Sequence, residues 1–506
     1  MGTRNVFKTT SDFSSMTHWA DVIAEDLLKR GDKHRIATGI TPSGHIHFGN
    51  LREIIIADAV RRAVEEKGGK AEVIYVADTF DPLRRRYPFL PEEFEKYVGM
   101  PLSEIPDPEG GCHENYAEHF LQPFLESLDV LGIDLIVKRA DQMYKSGEYE
   151  KHIRIALEKR DKIAEILKEV SGREVEEDWS PFNPLCKNCG RINSAKVKSF
   201  DDKGAYYSCS CGYSGYASFR EGKLTWRVDW VARWDILKIT CEPFGKDHAA
   251  AGGSYDTGVR IAREVYGFEP PYPIVYEWIH LKGVGAMKSS KGIVVPVKDL
   301  VEALPPEIIR YIIIRTKPER HIEFDPSMIL EVFDEFEDAY RRKDRSVQLS
   351  IVGDVVYSDV SFRHLVVVGQ IANWDLEKAL EILSRTYHVD ETVRRDVERR
   401  LIYAKRWLEK FAPENLKFEI KEEIEVEFSE DERRFLRTFA ERLEEDMSPE
   451  RIHQLVYEVA RELNVKPAKA FQAIYKAILG KNYGPRAGYF IKSLGIEWVK
   501  KRFKKV

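Results

Sequence analysis

The sequence predicts an α/β fold in which a doubly wound parallel sheet is followed by a long helical region. A β-rich run, "HRIATGI", leads into an amphipathic helix, "NLREIIIADAVRRAVEEKG", and then into a second β-rich run, "AEVIYVAD". This strand, helix, strand order implies a parallel pair joined by a right-handed crossover. From about residue 305 the sequence is almost entirely amphipathic helix, which predicts an all-helical C-terminal part.

The sheet pattern is interrupted and then resumes, so the chain divides into several predicted segments. A proline-rich stretch with helices and cysteines follows the second strand, and sheet-like runs return with "LTWRVDW" and "YPIVYEWIHL". We predict an N-terminal extension with the first helix (1–30), the first half of the sheet domain (31–100), an insertion with a cysteine knuckle (101–222), the second half (223–300), a connecting segment (301–353) and a helical domain (354–506).

The composition is that of a globular protein with a strongly charged surface. The 506 residues are 43% hydrophobic and 32% charged, and the formal net charge is -5 at pH 7. A net negative charge argues against a protein that coats nucleic acid by bulk electrostatics, and leaves only local basic patches for such contacts. No run approaches the ~18 apolar residues that span a bilayer, and the N-terminus lacks the apolar core of a signal peptide. We expect a cytoplasmic monomer that does not contact membranes.

A polar turn between the first strand and its helix, "TPSGHIHFGN", is the first candidate site. The unpaired amides and positive dipole of a helix N-terminus bind anions, and this turn adds histidine side chains to them. We therefore predict a phosphate-binding turn. The alternative is that Gly44 and Gly49 only satisfy tight backbone geometry and that His45 and His47 are solvated.

Paired cysteines in "CKNCG" and "CSCG" predict a structural metal site in the insertion. In a cytosolic chain this spacing is more typical of a zinc knuckle than of disulfides. The four predicted ligands are Cys186, Cys189, Cys209 and Cys211. Cys241 stands alone and is predicted to lie in the core.

A second cluster precedes the knuckle, in "DPEGGCHENYAEHF". Its nitrogen and sulfur ligands also suit zinc, and a carboxylate completes the set. The alternative is a buried cysteine beside surface histidines. The candidate ligands are Asp107 or Glu109, Cys112, His113 and His119.

Two stretches resemble the signature motifs of class I aminoacyl-tRNA synthetases. "HFGN" resembles the HIGH signature, with Asn50 in place of its final histidine, and "AMKSSKG" at 286–292 resembles KMSKS. The stretches "VADTFDPLRRRYPFLP", "DWSPFNPLC" and "CEPFGKDHAAAGGSYDTG" are similar to the class I lysyl-tRNA synthetases found mainly in archaea. This resemblance covers essentially the whole chain. It implies a Rossmann-type sheet, a helical anticodon-binding domain, and ATP-dependent ligation of lysine to tRNA(Lys) through lysyl adenylate, with Mg²⁺ on the phosphates.

The resemblance also implies roles for individual residues around ATP. The second signature departs from the usual family pattern, because Ala286 occupies the first lysine position and Lys288 occupies that of a serine. Lys291 is carried over directly as a phosphate ligand, and Lys288 is a candidate to compensate. The expected catalytic residues are His47, Asn50, Lys288 and Lys291. The expected ATP-binding residues are His45, Gly49, Ser289, Ser290, Asp247 and His248.

A lysine pocket requires an anion for the ammonium group and a sleeve for the methylenes. Glu277 beside Tyr276, and Asp229 beside Trp230, combine acidic and aromatic side chains of this kind. The alternative for Trp230 and Trp234 is a pair of core residues at i, i+4 spacing. With the residues that the resemblance adds, the expected lysine-binding set is Gly39, Thr41, Asp78, Asp229, Trp230, Trp234, Tyr255 and Glu277.

Two other functions fit the sequence at this point. A glutamyl synthetase of the same class would need arginine for its substrate carboxylate, and Arg227 and Arg233 lie close to the candidate pocket in sequence. A non-catalytic tRNA-binding paralogue would keep the fold and tolerate the altered second signature.

Overall fold

The computed structural model of the chain describes residues 17–287, 294–423 and 425–506. Its first third contains α1 (Trp19–Leu28), β1 (Lys33–Ile40), α2 (Phe48–Glu66), β2 (Lys70–Ala77), α3 (Tyr116–Val130), β3 (Ile136–Arg139), α4 (Ala140–Lys145), α5 (Glu150–Glu158) and α6 (Arg160–Ser171). The middle part contains β4 (Phe182–Pro184), β5 (Ala195–Phe200), β6 (Gly204–Cys209), β7 (Ser214–Ser218), β8 (Gly222–Leu224), α7 (Trp226–Ile236), β9 (Cys241–Gly245), α8 (Lys246–Ala249), α9 (Ser254–Ile261), β10 (Tyr272–Tyr276), β11 (Ile279–Leu281) and β12 (Gly285–Ala286).

The remaining elements are helical except for one short strand. They are α10 (Val297–Ala303), α11 (Pro306–Ile314), β13 (Ile322–Phe324), α12 (Ile329–Arg341), α13 (Arg345–Ser350), α14 (Phe362–Ile371), α15 (Leu376–Leu383), α16 (Glu391–Lys410), α17 (Glu430–Arg442), α18 (Pro449–Glu462), α19 (Pro467–Leu479), α20 (Ala487–Leu494) and α21 (Ile496–Lys504). No helix in these described ranges is both long and apolar enough to cross a bilayer.

The central sheet has five strands in the order β10-β9-β1-β2-β3, and every neighbouring pair is parallel. Alternate residues of β2 enter two different cores: Val73 and Tyr75 lie in one, and Ile74 and Val76 in the other. A parallel sheet covered on both faces requires this continuous apolar pattern. From β1 the chain proceeds through β2 to β3 at one edge of the sheet, and it then returns to the other side of β1 through β9 and β10. The direction of strand addition therefore reverses between β1 and β9, and ligands of such sheets bind at this switch point. The predicted doubly wound sheet is confirmed.

Three local features differ from the sequence-based expectation. The stretch "LTWRVDW" was expected to resume the sheet, but most of it belongs to α7, because Trp230 and Trp234 are buried on one helical face despite their preference for strands. The run "YPIVYEWIHL" divides into β10 and β11, and β11 joins a separate small sheet with β12 and β13. The segment predicted to be wholly an insertion also supplies β3 to the edge of the main sheet.

The helical C-terminal part contains two cores. Buried residues of α14–α16, such as Leu401 and Trp407, belong to the core that covers one face of the sheet. Residues of α17–α21, such as Phe435, Phe439 and Phe490, form a core of their own. The last five helices are therefore a separate bundle, whereas α14–α16 extend the sheet domain.

Helix α2 connects the sheet to the connecting segment. The buried Arg52 guanidinium donates hydrogen bonds to several backbone carbonyls, including those of Glu277 at 2.5 Å and Arg320 at 2.6 Å. Two turns further along, Asp58 accepts a hydrogen bond from Arg310 of α11 at 2.6 Å. Both arginines are fully buried, so these bonds fix α2 relative to the elements on each side of it.

Candidate active site

The two signature motifs meet at the N-terminus of α2. The Phe48 amide donates to the Val295 carbonyl at 3.0 Å, and the Val297 amide donates to the Ile46 carbonyl at 3.1 Å. At the other end of the second signature, Met287 Cε lies 3.8 Å from where a Cβ on Gly49 would stand. The loop that carries the second signature therefore begins and ends beside the first. Its predicted ligands lie outside the described residues: Lys288, Ser289, Ser290 and Lys291.

The first signature presents neutral hydrogen-bonding groups. Burial lowers the pKa of His47 to about 4, so its imidazole is uncharged at pH 7 and keeps one N–H as a donor. The Nδ1 atom is buried and has no partner among the atoms described. Asn50 accepts a hydrogen bond from the His47 amide at 3.3 Å through Oδ1, which leaves its NH2 group as a donor. A Cβ on Gly49 would lie 3.0 Å from the His47 ring, so a larger residue here would require that ring to shift.

A cavity of about 350 Å³ opens where β1, β9 and β10 end. Gly39, Gly245 and Tyr276 from these strand ends line it, as the switch point predicts. The structure brings together seven of the predicted site residues in this lining: Gly39, His47, Gly49, Asn50, Trp230, Asp247 and His248. The phosphate-binding turn and part of the predicted amino-acid pocket thus share one cavity.

Two buried carboxylates in the cavity wall were not predicted from the sequence. Glu53 accepts hydrogen bonds from the Gly39 amide at 2.8 Å and from the Tyr276 hydroxyl at 2.9 Å. Glu242 accepts from the indole N–H groups of Trp230 at 2.8 Å and Trp234 at 2.6 Å. Burial raises the pKa of Glu53 to about 8 and that of Glu242 to about 7. Neither carboxylate has a cationic partner within ion-pair distance in the described part of the chain.

A buried charge network lies behind this wall. Arg233 donates to Asp78 at 2.5 Å and to Asp229 at 2.8 Å, and Asp229 also accepts from the Tyr144 hydroxyl. The carboxylates of Asp78 and Asp229 therefore surround the Arg233 guanidinium. Arg233 lines the cavity, whereas Asp78 and Asp229 do not. Asp78 and Asp229, both predicted to contact lysine, are in a second layer where they hold Arg233.

The other predicted residues lie around the cavity and do not belong to its lining. The Thr41 hydroxyl donates to Asp81 at 2.8 Å, and the Tyr255 hydroxyl donates to a backbone carbonyl at 2.9 Å. Glu277 forms an ion pair with Lys246 at 2.6 Å, which occupies the carboxylate proposed for the substrate ammonium. His45 packs against the ring of Phe120, with centroids 5.2 Å apart.

The four cysteines of the knuckle converge as the spacing predicts. The ligand atoms lie within 4.8 Å of one another, with Cys186 and Cys211 sulfurs 3.8 Å apart and those of Cys189 and Cys209 3.7 Å apart. In a tetrahedral site with zinc–sulfur bonds of about 2.3 Å, the sulfur atoms lie about 3.8 Å from one another. The residues present therefore fit a zinc ion.

The second cluster also converges. Cys112 Sγ lies 3.0 Å from His113 Nδ1 and 3.5 Å from His119 Nδ1, and His119 Nδ1 lies 3.3 Å from Asp107 Oδ1. These distances between ligand atoms are close to those in a tetrahedral zinc site with mixed sulfur, nitrogen and oxygen ligands. The cluster adjoins the phosphate-binding turn, because the Tyr116 hydroxyl donates to the Ser43 carbonyl at 2.6 Å.

Comparison with known proteins assigns the chain to a family. A family model described as "tRNA synthetases class I (K)" matches residues 17–350, and one described as "Anticodon binding domain" matches residues 408–506. The chain belongs to the class I lysyl-tRNA synthetases. This synthetase is 70% identical to the lysine–tRNA ligase of Archaeoglobus fulgidus over 96% of this chain and 99% of the relative. It is 49% identical to that of Methanosarcina barkeri over 96% and 97% of the two chains.

A solved structure of a glutamate tRNA ligase from Elizabethkingia meningosepticum also aligns with the synthetase. The alignment covers 93% of this chain and 98% of that chain, at 14% identity and a TM-score of 0.41. The family and the fold class predicted from the sequence are confirmed by the family models, the relatives and the sheet topology.

Sequence reasoning missed Glu53 and Glu242 for identifiable reasons. Glu53 stands in "LREIIIADAV", whose pattern predicts an amphipathic helix, and Glu242 stands in the short strand "CEPFG". A charged residue inside an otherwise buried apolar run was the available signal, because such residues are rarely buried without a partner.

Proposed function

We infer that the synthetase carries out its family's ligation reaction in the cavity at the ends of β1, β9 and β10, with Glu53 as the partner of the lysine ε-ammonium. The observation that carries this proposal is a buried carboxylate one helical turn from the phosphate-binding turn, with neutral donors on both oxygens and no cationic partner among residues 17–287, 294–423 and 425–506. Burial makes the charged form of this carboxyl group costly, and a substrate cation removes that cost.

The charges of the wall favour lysine over glutamate. Glu53 and Glu242 are acidic, and Arg233 is already neutralised by Asp78 and Asp229. Lysine brings two ammonium groups and one carboxylate, which matches an acidic wall containing one guanidinium. A glutamate side chain would bring a second carboxylate against this wall, where like charges repel.

The indole rings supply the apolar part of the pocket. Trp230 lines the cavity and stacks on Trp226, with ring centroids 5.5 Å apart and planes at 14°. The hydrogen bonds from both buried tryptophans to Glu242 fix their rings. We propose that the lysine methylenes lie along this aromatic surface while the ammonium reaches Glu53.

ATP is required by the chemistry of this family. We propose that its phosphates lie at the N-terminus of α2, near the Gly49 amide and the side-chain donors of His47 and Asn50. Lys288, Lys291, Ser289 and Ser290 remain proposed phosphate contacts of the second signature, whose two ends flank this turn. Mg²⁺ bound to the phosphates would supply charge neutralisation for the leaving group.

The reaction then needs no protein nucleophile. A carboxylate oxygen of lysine attacks the α-phosphorus, the bond to the bridging oxygen of the β-phosphate breaks, and pyrophosphate leaves. A terminal ribose hydroxyl of the tRNA next attacks the lysyl carbonyl carbon, its proton is released, and AMP leaves. The residues of this chain position the reactants and stabilise the developing charge.

We propose zinc for both ligand clusters. In the knuckle, Cys186, Cys189, Cys209 and Cys211 would hold a closed structural ion that joins the end of β6 and the turn after it to the loop after β4. In the second cluster, Asp107, Cys112, His113 and His119 would hold an ion beside the phosphate-binding turn. A bound zinc ion supplies folding energy at such sites.

Aminoacylation with a panel of amino acids tests the proposal. We expect the synthetase to charge tRNA(Lys) with lysine and not with glutamate or arginine. Glu53→Gln should raise KM for lysine by roughly two orders of magnitude, because it removes the charge that pairs with the ammonium. Glu72→Gln, at the exposed N-terminal end of β2, is the matched control. Unchanged KM for lysine in a folded Glu53→Gln variant would assign the ammonium to another residue.

A further inference from the structure

Arg233 is a buried arginine in the wall of the active-site cavity, and the protein uses only part of its guanidinium. The Nη2 atom donates to Asp78 at 2.5 Å and to Asp229 at 2.8 Å. The Nη1 atom carries two more N–H groups, and in the described part of the chain its one hydrogen bond is a long contact of 3.5 Å to Asp78. At least one N–H group on Nη1 is therefore available to a ligand.

The Nη1 edge of the guanidinium lies at the cavity end of β1. Nη1 would be 3.2 Å from a Cβ on Gly39, and both residues line the cavity. A side chain at residue 39 would crowd Nη1, whereas glycine leaves the space in front of it open. The Gly39 amide donates to Glu53 at 2.8 Å. A molecule that lies against Gly39 can therefore reach both a guanidinium and the proposed ammonium partner.

The charges around Arg233 fit the head group of an amino acid better than a free anion. Asp78 and Asp229 both contact the guanidinium, and Lys223 is paired with Asp81 close to Asp78. When all five groups are ionised, three carboxylates face two cations, and one net negative charge remains. A free carboxylate ligand would be repelled by this charge. An amino acid carries an ammonium group on the carbon next to its carboxylate, and this group compensates the repulsion.

Tyr144, in α4, fixes the side of the charge network that faces away from the cavity. Its hydroxyl donates to Asp229 and accepts from the Leu224 amide at 3.1 Å. Its ring is fully buried and stacks on Tyr149, with centroids 3.8 Å apart and planes at 9°. A ring packed in this way has one position, so the position of its hydroxyl is set as well. Tyr144 thereby fixes Asp229, which lies one helical turn before Arg233 on α7.

We propose that Arg233 Nη1 binds the α-carboxylate of lysine, and that Tyr144 is a positioning residue that holds the guanidinium in place through Asp229. The proposal rests on the proposed function for the identity of the substrate. A hydrogen bond from Nη1 to one carboxylate oxygen would leave the other oxygen oriented for attack on the α-phosphorus. The segment between β3 and α5, which the sequence places in the insertion, then takes part in amino-acid binding.

A comparison of lysine with lysinamide tests this inference in the full-length synthetase. Lysinamide has a neutral amide in place of the carboxylate, and at pH 6 it keeps both ammonium groups of lysine. The ratio of the two Kd values, measured by calorimetric titration at pH 6, therefore reports the carboxylate contact alone. We define the preference for lysine as the Kd of lysinamide divided by the Kd of lysine.

Two variants should lower this preference. Arg233→Lys keeps a buried cation but loses Nη1, and it should lower the preference roughly tenfold or more. Tyr144→Phe removes the hydroxyl that fixes Asp229, and it should lower the preference roughly threefold to tenfold. A ratio of two affinities does not depend on the fraction of folded protein in the sample, so partial unfolding of either variant does not hide the result.

Tyr266→Phe is the matched control for Tyr144→Phe. Tyr266 packs against the same core as Tyr144, but its hydroxyl donates to the His152 carbonyl at 3.1 Å and not to the charge network. This variant should keep the wild-type preference. Glu53→Gln should weaken the binding of both ligands by the same factor, because both carry the ε-ammonium group, and its preference should also remain that of the wild type.

The opposite results would overturn the inference. An unchanged preference in Arg233→Lys would exclude the carboxylate contact. An unchanged preference in Tyr144→Phe, or an equal change in Tyr266→Phe, would show that Tyr144 only supports the core. The proposed function is judged separately, because it fails if the wild type does not charge tRNA(Lys) with lysine, whereas this inference fails on the ratio of the two affinities.

Discussion

Lysine binding should depend steeply on pH because the ammonium partner is held protonated in the free protein. Burial raises the pKa of Glu53 from 4.5 to about 8, so at pH 6 almost every molecule carries a neutral Glu53. The lysine ε-ammonium, with a pKa near 10.4, stays charged throughout this range. Binding must therefore expel the carboxyl proton, and affinity rises as the pH approaches 8 from below.

The magnitude follows from the protonated fraction. For a pKa of about 8, the apparent affinity for lysine should increase about 50-fold between pH 6 and pH 8, and binding at pH 7 should release about 0.9 proton. Calorimetric titration with lysine in buffers of different ionisation enthalpy measures both quantities. In Glu53→Gln this part of the pH dependence and the proton release should disappear, whereas Glu72→Gln should keep them.

The same carboxyl group should make the ligand-free protein less stable as the pH rises, whereas the affinity for lysine increases over the same range. Because the folded pKa lies above the unfolded value, the folded state holds an extra proton between pH 4.5 and about 8, and the free energy of unfolding falls as the pH rises through this window. The difference between the folded and unfolded pKa values corresponds to a change of at most roughly 5 kcal/mol in the free energy of unfolding.

An affinity for lysine that does not change from pH 6 to pH 8 would refute the assignment of Glu53 as the ammonium partner.

Three further predictions concern the phosphate-binding turn and the metal clusters. His47→Ala should lower kcat for aminoacylation on the order of 10²-fold with lysine affinity retained, because one donor to a developing charge is lost, and an unaltered kcat would contradict this role. Replacing Cys186 and Cys189 together by Ser should lower the melting temperature and remove one zinc ion per chain, as measured by elemental analysis. A Cys112→Ser variant should separately reduce the zinc bound at the second cluster. A wild-type protein that contains no zinc would exclude both sites. Tyr116→Phe removes the hydrogen bond to Ser43 and should raise KM for ATP several-fold without changing KM for lysine or the zinc content. Equal changes in both KM values would show that Tyr116 serves general stability instead.

The local parts of the site were predictable because their signals lie within short stretches of sequence. The turn before α2 and the four cysteines each depend on residues a few positions apart, and the structure brings each set together. The parallel pair β1 and β2 followed from hydrophobic patterning in the same way.

The amino-acid pocket was less predictable because its contacts join distant segments. Asp229 and Trp230 are adjacent in sequence, yet Trp230 lines the cavity while Asp229 is bound by Arg233 and Tyr144. The sequence pairs Glu277 with its neighbour Tyr276 as a candidate site, but the Tyr276 hydroxyl donates to Glu53, which lies 223 positions earlier. Which of several acidic residues remains without a cation depends on tertiary pairing, and a single sequence does not contain that information.

Helix α2 sets the distance between the two substrates. Asn50 and Glu53 are three residues apart on one continuous helix, so about 4.5 Å of helix axis separates the proposed contacts to ATP and to the ammonium. Arg52, between them, holds this helix through the carbonyls of Glu277 and Arg320. If these proposed contacts hold, we expect the helix to select side-chain length as well as charge. Ornithine, one methylene shorter than lysine, should then bind less tightly than lysine by about 1–3 kcal/mol.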